Sequence, residues 1–200
     1  MSTSTRPAPT DSRGSPTVKA GYLQSTVAAL SALPPSQVER IRACAAEALR
    51  LIESARRTAW LPFACDVELN LAVHDVAGAA GLTALNRRAL HNAFRGPLLH
   101  TVVEGSKRLF GLSPAAMFTV AQRAWGGVTR DAGSVRAENL GSRHYALFHE
   151  DMPALYAGNE IYLIGFGAIV EGVLDFFECE GEVRLERVSR DAIRIDVQWR

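Results

Sequence analysis

The sequence predicts an α+β fold, with N-terminal helices followed by a β-β-α-β-β unit and a four-stranded antiparallel sheet. Three observations lead there. Up to Trp125, apolar residues recur at helical spacing between polar ones. Beyond Ser134 the period changes to two, most cleanly in "DAIRIDVQWR" (residues 191–200). There Ile193, Ile195, Val197 and Trp199 alternate with Arg194, Asp196, Gln198 and Arg200, so one face of a strand is apolar and the other charged. Finally, a long apolar run at 161–177, carrying glycines 165, 167 and 172, stands between the strands. It reads as a helix packed closely on the sheet, with Trp199 beneath it.

Taken in order, residues 1–17 ("MSTSTRPAPTDSRGSPT") are rich in Ser, Thr and Pro and read as a disordered arm ahead of one domain at 18–200. "GYLQSTVAALSAL" places Leu23, Val27 and Leu30 on one helical face, and Pro34-Pro35 ends that helix. Ser36 is positioned to cap the next, at 37–57, with Val38, Ile41, Leu49 and Ile52 on its apolar face. "WLPF" breaks the pattern at Pro62. A helix at 66–77 ends at Gly78 and Gly81, and Thr83 opens another that runs to Phe94. Gly96-Pro97 separates it from a helix at 98–111. Ser113 as cap and Pro114 at the first helical position start one more. Residues 134–150 then suggest a hairpin or two short strands around Gly141, and 182–200 a hairpin turning at Ser189-Arg190-Asp191.

Composition narrows the function classes. A hydrophobic fraction of 48% and a charged fraction of 22% are ordinary for a globular core. The net charge of +1 supplies no field that would attract nucleic acid or an anionic membrane. Cys44, Cys65 and Cys179 form no C-x-x-C pair, and an odd count argues for reduced cysteines packed as small apolar residues. The run at 161–177 contains Glu171 and Asp175 and falls short of the ~20 residues of a membrane span. The N-terminus lacks the apolar core of a secretory signal, so a cytoplasmic protein is expected.

The order of "TAWLPF" after a helix, "AQRAW" before a "GSVRAENL" strand, the "GFGAIVEGVLDFF" helix and the "IRIDVQW" strand resembles a myxobacterial family of unknown function. More distantly it is similar to a superfamily of haem-based nitric-oxide sensors, 4-vinyl-reductase-type ligand-binding domains and small trafficking-complex subunits. The resemblance covers residues 20–200 and rests on order and spacing. It implies a scaffold in which helices and an antiparallel sheet enclose an apolar pocket, which in such relatives holds haem, a lipid chain or an aromatic effector. It implies sensing or assembly rather than catalysis.

Against that background the chemistry-bearing residues are few. His91 and His100, beside Leu90, Phe94, Leu98 and Leu99, are the candidates for a haem ligand. Haem sensors of the superfamily carry a tyrosine-x-serine-x-arginine stretch, however, where "RHYALFHE" offers Tyr145 but Leu147 and His149. No cofactor is therefore assigned. His144, His149, Glu150 and Asp151 fit no zinc spacing and read as a solvated loop, so no metal is assigned either. Neither Ser106 nor Ser142 sits in a nucleophile elbow, and "GFGAIVEG" lacks the lysine of a phosphate loop. Glu171 and Asp175 read as a solvent-facing stripe. No catalytic residue is expected, and the chain is read as a non-enzyme.

The expected function is a small-molecule sensing or regulatory module, or else a scaffold or adaptor subunit using the same surface. Its pocket should lie between the helices at 83–111 and the final sheet. Candidate pocket residues are His91, Phe94, His100, Trp125, Tyr145 and Phe166, while Trp60, Trp199, Phe176 and Phe177 read as core. The partner is an apolar small molecule or another protein, a second copy in a homodimer included. Neither nucleic acid nor a membrane span is expected.

Overall fold

Three short strands tie the first helices to the rest of the chain. In a computed structural model that describes residues 14–96, 104–105 and 113–200, β1 (Thr17–Lys19) pairs antiparallel with both β2 (Trp60–Pro62) and β3 (Thr129–Arg130). Pairing on both sides buries Val18, whereas Pro62, with no N–H to offer, sits on an edge strand. The Pro16 carbonyl accepts a hydrogen bond from the Phe63 N–H. Pairing thus begins at Thr17, one residue before the domain start read from composition. Residues 1–13 of the expected arm lie outside the described residues.

α1 (Ala20–Ala29) is followed by α2 (Pro35–Cys44) and α3 (Ala46–Ser54). The single helix expected at 37–57 is broken at Ala45, with φ −111° and ψ 32°. Ile41, Leu49 and Ile52 stay on one buried side through the break, so the periodicity carries no trace of it. Ser36 does not cap: the helix starts at Pro35, whose fixed φ and missing N–H suit the first position, and Ser36 lies one residue inside. α4 (Ala64–Arg95) contains both helices expected at 66–77 and 83–94, joined across a kink at Gly78 (φ 70°). Only glycine adopts that left-handed conformation at low cost. Helix resumes at once, so Gly81 does not end it and Thr83 is internal rather than a cap. Of the helix expected at 98–111, Glu104 and Gly105 are described, both helical. Ser113 caps α5 (Pro114–Thr119) as expected, accepting from the Ala116 N–H at 3.2 Å, and α6 (Ala121–Val128) follows.

The β-β-α-β-β unit is present. β4 (Ser134–Gly141), β5 (His144–Glu150), β6 (Gly181–Ser189) and β7 (Ala192–Trp199) form an antiparallel sheet in the order β4-β5-β7-β6. Between β5 and β6 lie α7 (Ala154–Ala157) and α8 (Glu160–Phe176), the latter capped by the Asn159 side chain. β7 is an inner strand, which explains why Ile193, Ile195 and Val197 are wholly buried. Trp199 is only half-buried, and its ring meets Phe118 of α5 at 5.7 Å and Tyr145 of β5 at 6.0 Å. It therefore closes the end of the core against α5, not the middle of it under α8.

The glycines of α8 serve a different neighbour from the one expected. A Cβ on Gly172 would lie 3.1 Å from the Arg87 Cα, and one on Gly165 would lie 3.3 Å from the Asn86 side chain, so both admit α4. Of the three, Gly167 faces the sheet, near Leu185. The Arg87 guanidinium grips Asp175 at 2.5 and 2.6 Å and approaches Glu171 at 3.6 Å, so that acidic stripe fastens α8 to α4. All three cysteines are free; Cys65 is buried and Cys179 half-buried, but Cys44 is exposed rather than packed. Among the described residues no helix is long and apolar enough to cross a membrane.

Candidate functional site

Where α4, α5, α6 and α8 meet β4 and β5, the apolar faces leave a pocket of about 110 Å³. Phe94 of α4, Phe166 and Val170 of α8, Trp125 of α6, and Val135 and Leu147 of the sheet contribute to its lining. Ala121 and Ala124 present only methyl groups from α6, and the large rings opposite do not fill the space. The described lining holds no charged side chain; Tyr22 of α1 supplies a hydroxyl-bearing ring. A dry cavity of ~150 Å³ takes benzene or xenon, whereas drug-sized ligands occupy ~300–1,000 Å³. The volume here belongs to the first class.

Behind two of the lining rings lies a polar centre. The His149 imidazole is fully buried, 4.8 Å from the Trp125 ring and 5.0 Å from Phe166. Its Nε2 lies 2.9 Å from the Ala132 carbonyl, which also accepts from the Tyr156 hydroxyl. A carbonyl can only accept, so Nε2 carries the proton and Nδ1 presents a bare lone pair. Burial drives the imidazole pKa down to about 4, against the opposing backbone hydrogen bond, and holds the ring neutral. The turn before β4 makes this contact possible. Gly133 has φ 78°, and a Cβ there would meet the Glu150 carbonyl and His149 Nε2, so only glycine fits.

Tyr156 and Tyr162 lie close to one another, their rings tilted and 4.3 Å apart, and complete the cluster with Phe63. Burial pushes the hydroxyls of Tyr22, Tyr156 and Tyr162 well above the usual tyrosine range, with the nearby Asp66 charge adding to it. Asp66 itself, in the first turn of α4, is pushed up to about 7 by burial, partly offset by the hydrogen bond from Asn70 at 3.2 Å. Asn70 in turn accepts from Asn86 at 2.9 Å, which links the two halves of α4. Two buried polar atoms of this centre, His149 Nδ1 and Tyr162 Oη, have no hydrogen-bond partner among the described residues.

Of the pocket residues expected from sequence, Phe94, Trp125 and Phe166 come together in the lining. Tyr145 is buried on β5 but outside that lining, packed against Trp199 and against Phe118, which does line the pocket. His91 also lies outside it, half-buried against Phe176 at 5.7 Å, its pKa lowered by burial and then by Arg95 and Arg88. His100 lies outside the described residues. The pocket leans on α8 and on β4 and β5, rather than on the final strands. His149 is the residue that sequence reasoning missed: it belongs to β5, not to a solvated loop. Its signal was the alternation Tyr145, Leu147, His149, which puts all three on the buried face. Glu150 points the other way and pairs with Arg136 at 3.2 Å. Among the described residues no group of three His, Cys, Asp or Glu is placed to hold a metal.

No protein-family model matches the chain, and no curated protein is significantly similar to it in sequence. In three dimensions the chain is similar to the Fe(II) unliganded H-NOX protein from K. algicida, with TM-score 0.61 and 10% identity over 91% of this chain and 96% of that one. It is equally similar to an oxygen-binding H-NOX domain related to soluble guanylate cyclases, with TM-score 0.61 and 8% identity over 91% and 95%. The fold is the H-NOX fold. That agrees with the wider resemblance drawn from the order of motifs, and the shared architecture raises the question of haem, which H-NOX proteins can carry. The described residues do not fit it. Among the described residues the pocket is far below the size of a porphyrin, and their lining offers no imidazole or thiolate for iron and no cation for propionates; His100 lies outside them. The buried imidazole of His149 is already engaged at Nε2 and lies behind Trp125 and Phe166.

Proposed function

We propose that the chain is a non-enzymatic sensing or regulatory module that takes up a small, largely apolar molecule of about benzene size in place of haem. The observation that carries this reading is the apolar pocket between α4, α6, α8 and the sheet. Occupancy would set how closely α6 and α8 approach, because Trp125 and Phe166 face each other there edge to face at 5.5 Å. A ligand acts only through a difference in affinity between two such arrangements. The described lining offers no nucleophile or acid–base pair, which supports a binding role over catalysis. Output would pass to another protein in the cytoplasm, and the narrower myxobacterial resemblance belongs to the same reading. Among the described residues the exposed large apolar side chains, Leu140, Leu155 and Val188, lie on three different elements, which favours the pocket over a docking face as the working part.

Native mass spectrometry of freshly purified protein and calorimetric titration with toluene test this. Saturable toluene binding is expected in the wild type, and Ala124→Phe, which fills the pocket, should abolish it while the protein stays folded. A folded wild-type protein that binds no benzene-sized ligand, added or co-purified, sinks the proposal.

A further inference from the structure

The polar centre behind the pocket adds a chemical requirement. His149 and Tyr162 are almost fully buried, their rings 6.2 Å apart, and each has a polar atom without a partner among the described residues. A buried polar group without a hydrogen bond is costly, so such atoms commonly mark a place that a ligand or bound molecule completes. Phe166 connects this centre to the pocket. Its ring lines the pocket and also lies 5.0 Å from His149 and 5.9 Å from Tyr162.

The two atoms have distinct capacities. His149 Nδ1 can only accept, because Nε2–H is committed to the Ala132 carbonyl. Tyr162 Oη keeps its proton, since burial raises its pKa well above the ordinary value, and it can donate. A neutral hydroxyl satisfies both at once, donating to Nδ1 and accepting from Oη–H. A hydrocarbon satisfies neither, and a carbonyl satisfies Tyr162 alone. A carboxylate would bring a charge that no cation in the described lining balances.

We infer that the molecule taken up in the pocket carries a neutral hydroxyl that passes the edge of Phe166 to bridge His149 Nδ1 and Tyr162 Oη, which makes this a site for small phenols or alcohols. The inference rests on the pocket-binding reading above and specifies its ligand class.

Phenol and toluene have nearly the same shape and differ in the hydroxyl, so their comparison isolates it. Phenol should bind roughly tenfold more tightly than toluene. In Tyr162→Phe that preference should shrink several-fold while toluene affinity is unchanged. The ¹⁵N signal of His149 Nδ1 should move on addition of phenol and stay still with toluene. Equal affinities, or an Nδ1 signal indifferent to phenol, overturn the hydroxyl inference and leave the apolar pocket standing. No binding of either ligand to folded protein overturns both. A lower urea midpoint in ligand-free Tyr162→Phe would show that Oη already has a bound partner, and would also overturn it.

Discussion

Phe166 divides one core into two unlike regions. On the pocket side, Phe94, Val170 and Leu147 need only contact, and unfilled space there costs dispersion energy and little else. Behind the ring, His149, Tyr156 and Tyr162 sit where every polar atom must find a partner or weaken the fold. The first region can vary in volume, the second hardly at all. Capacity for a ligand and selectivity for its chemistry are thereby held by different residues, joined through the rings of Trp125 and Phe166.

The largest effect should come from removing what both regions rest on. β7 pairs with β5 on one side and β6 on the other: Val197 lies opposite both Tyr145 and Val183, and Ile193 lies opposite His149. Deleting residues 197–200 exposes both sets of backbone partners and removes Val197 from the core. Total stability is ordinarily ~5–15 kcal/mol, so the truncated chain should be insoluble or partly unfolded. A wild-type urea midpoint for it would show that the two regions do not depend on that strand.

Acid–base behaviour separates the regions more selectively, because the polar centre holds two groups, buried His149 and half-buried Asp66, whose titrations oppose. Asp66, raised to about 7 in the fold, favours folding while protonated. Its contribution is full below the unfolded value of ~3.9 and is lost as pH rises through about 7. His149, depressed to about 4, favours folding while neutral. Its contribution is full above ~6.5 and is lost as pH falls through about 4. Between those limits the two slopes cancel in large part, while Tyr22, Tyr156 and Tyr162 stay protonated. Asp66→Asn should therefore leave a protein that grows more stable from pH 4 to 6.5. His149→Phe should leave one that grows less stable from pH 4 to 7, the changes being at most about 3 and about 4 kcal/mol respectively. Urea midpoints across that range check it. An Asp66→Asn slope identical to wild type would place the carboxylate in solvent.

The two regions also differ in how far the sequence disclosed them. Strand alternation and helix start signals located the β-β-α-β-β unit, and Ser113-Pro114 marked the start of α5 correctly. Phe94, Trp125 and Phe166 were legible as large apolar residues on elements that had to meet. Whether they meet around a space or fill it depends on Ala121 and Ala124 opposite them, and periodicity does not weigh volumes. His149 was obscured by its neighbours: "HED" looks like a loop, and only the count back to Tyr145 assigns the imidazole to the inner face. The break at Ala45 was invisible for a related reason, since one non-helical residue need not disturb a buried face. The glycines of α8 showed that something approaches closely, but not that it would be α4, because a missing side chain does not name its neighbour.

The smallest expected effects lie at the end of β7, where the sheet's inner and outer faces are one residue apart. Trp199 is half-buried and rests on Phe118 and Tyr145, at the margin of the core. A fully buried aromatic truncated to Ala costs ~3–5 kcal/mol, so partial burial should bring Trp199→Ala to about half of that. Gln198 is exposed on the other face, 3.3 Å from His144 Nε2, in a surface contact that water can replace. Gln198→Ala should change stability by less than ~0.5 kcal/mol. Urea titrations of the two variants measure the contrast directly. Equal losses would mean that the outer face carries as much of the fold as the inner one, and the division of the core at Phe166 would then describe only part of what holds β5 and β7 together.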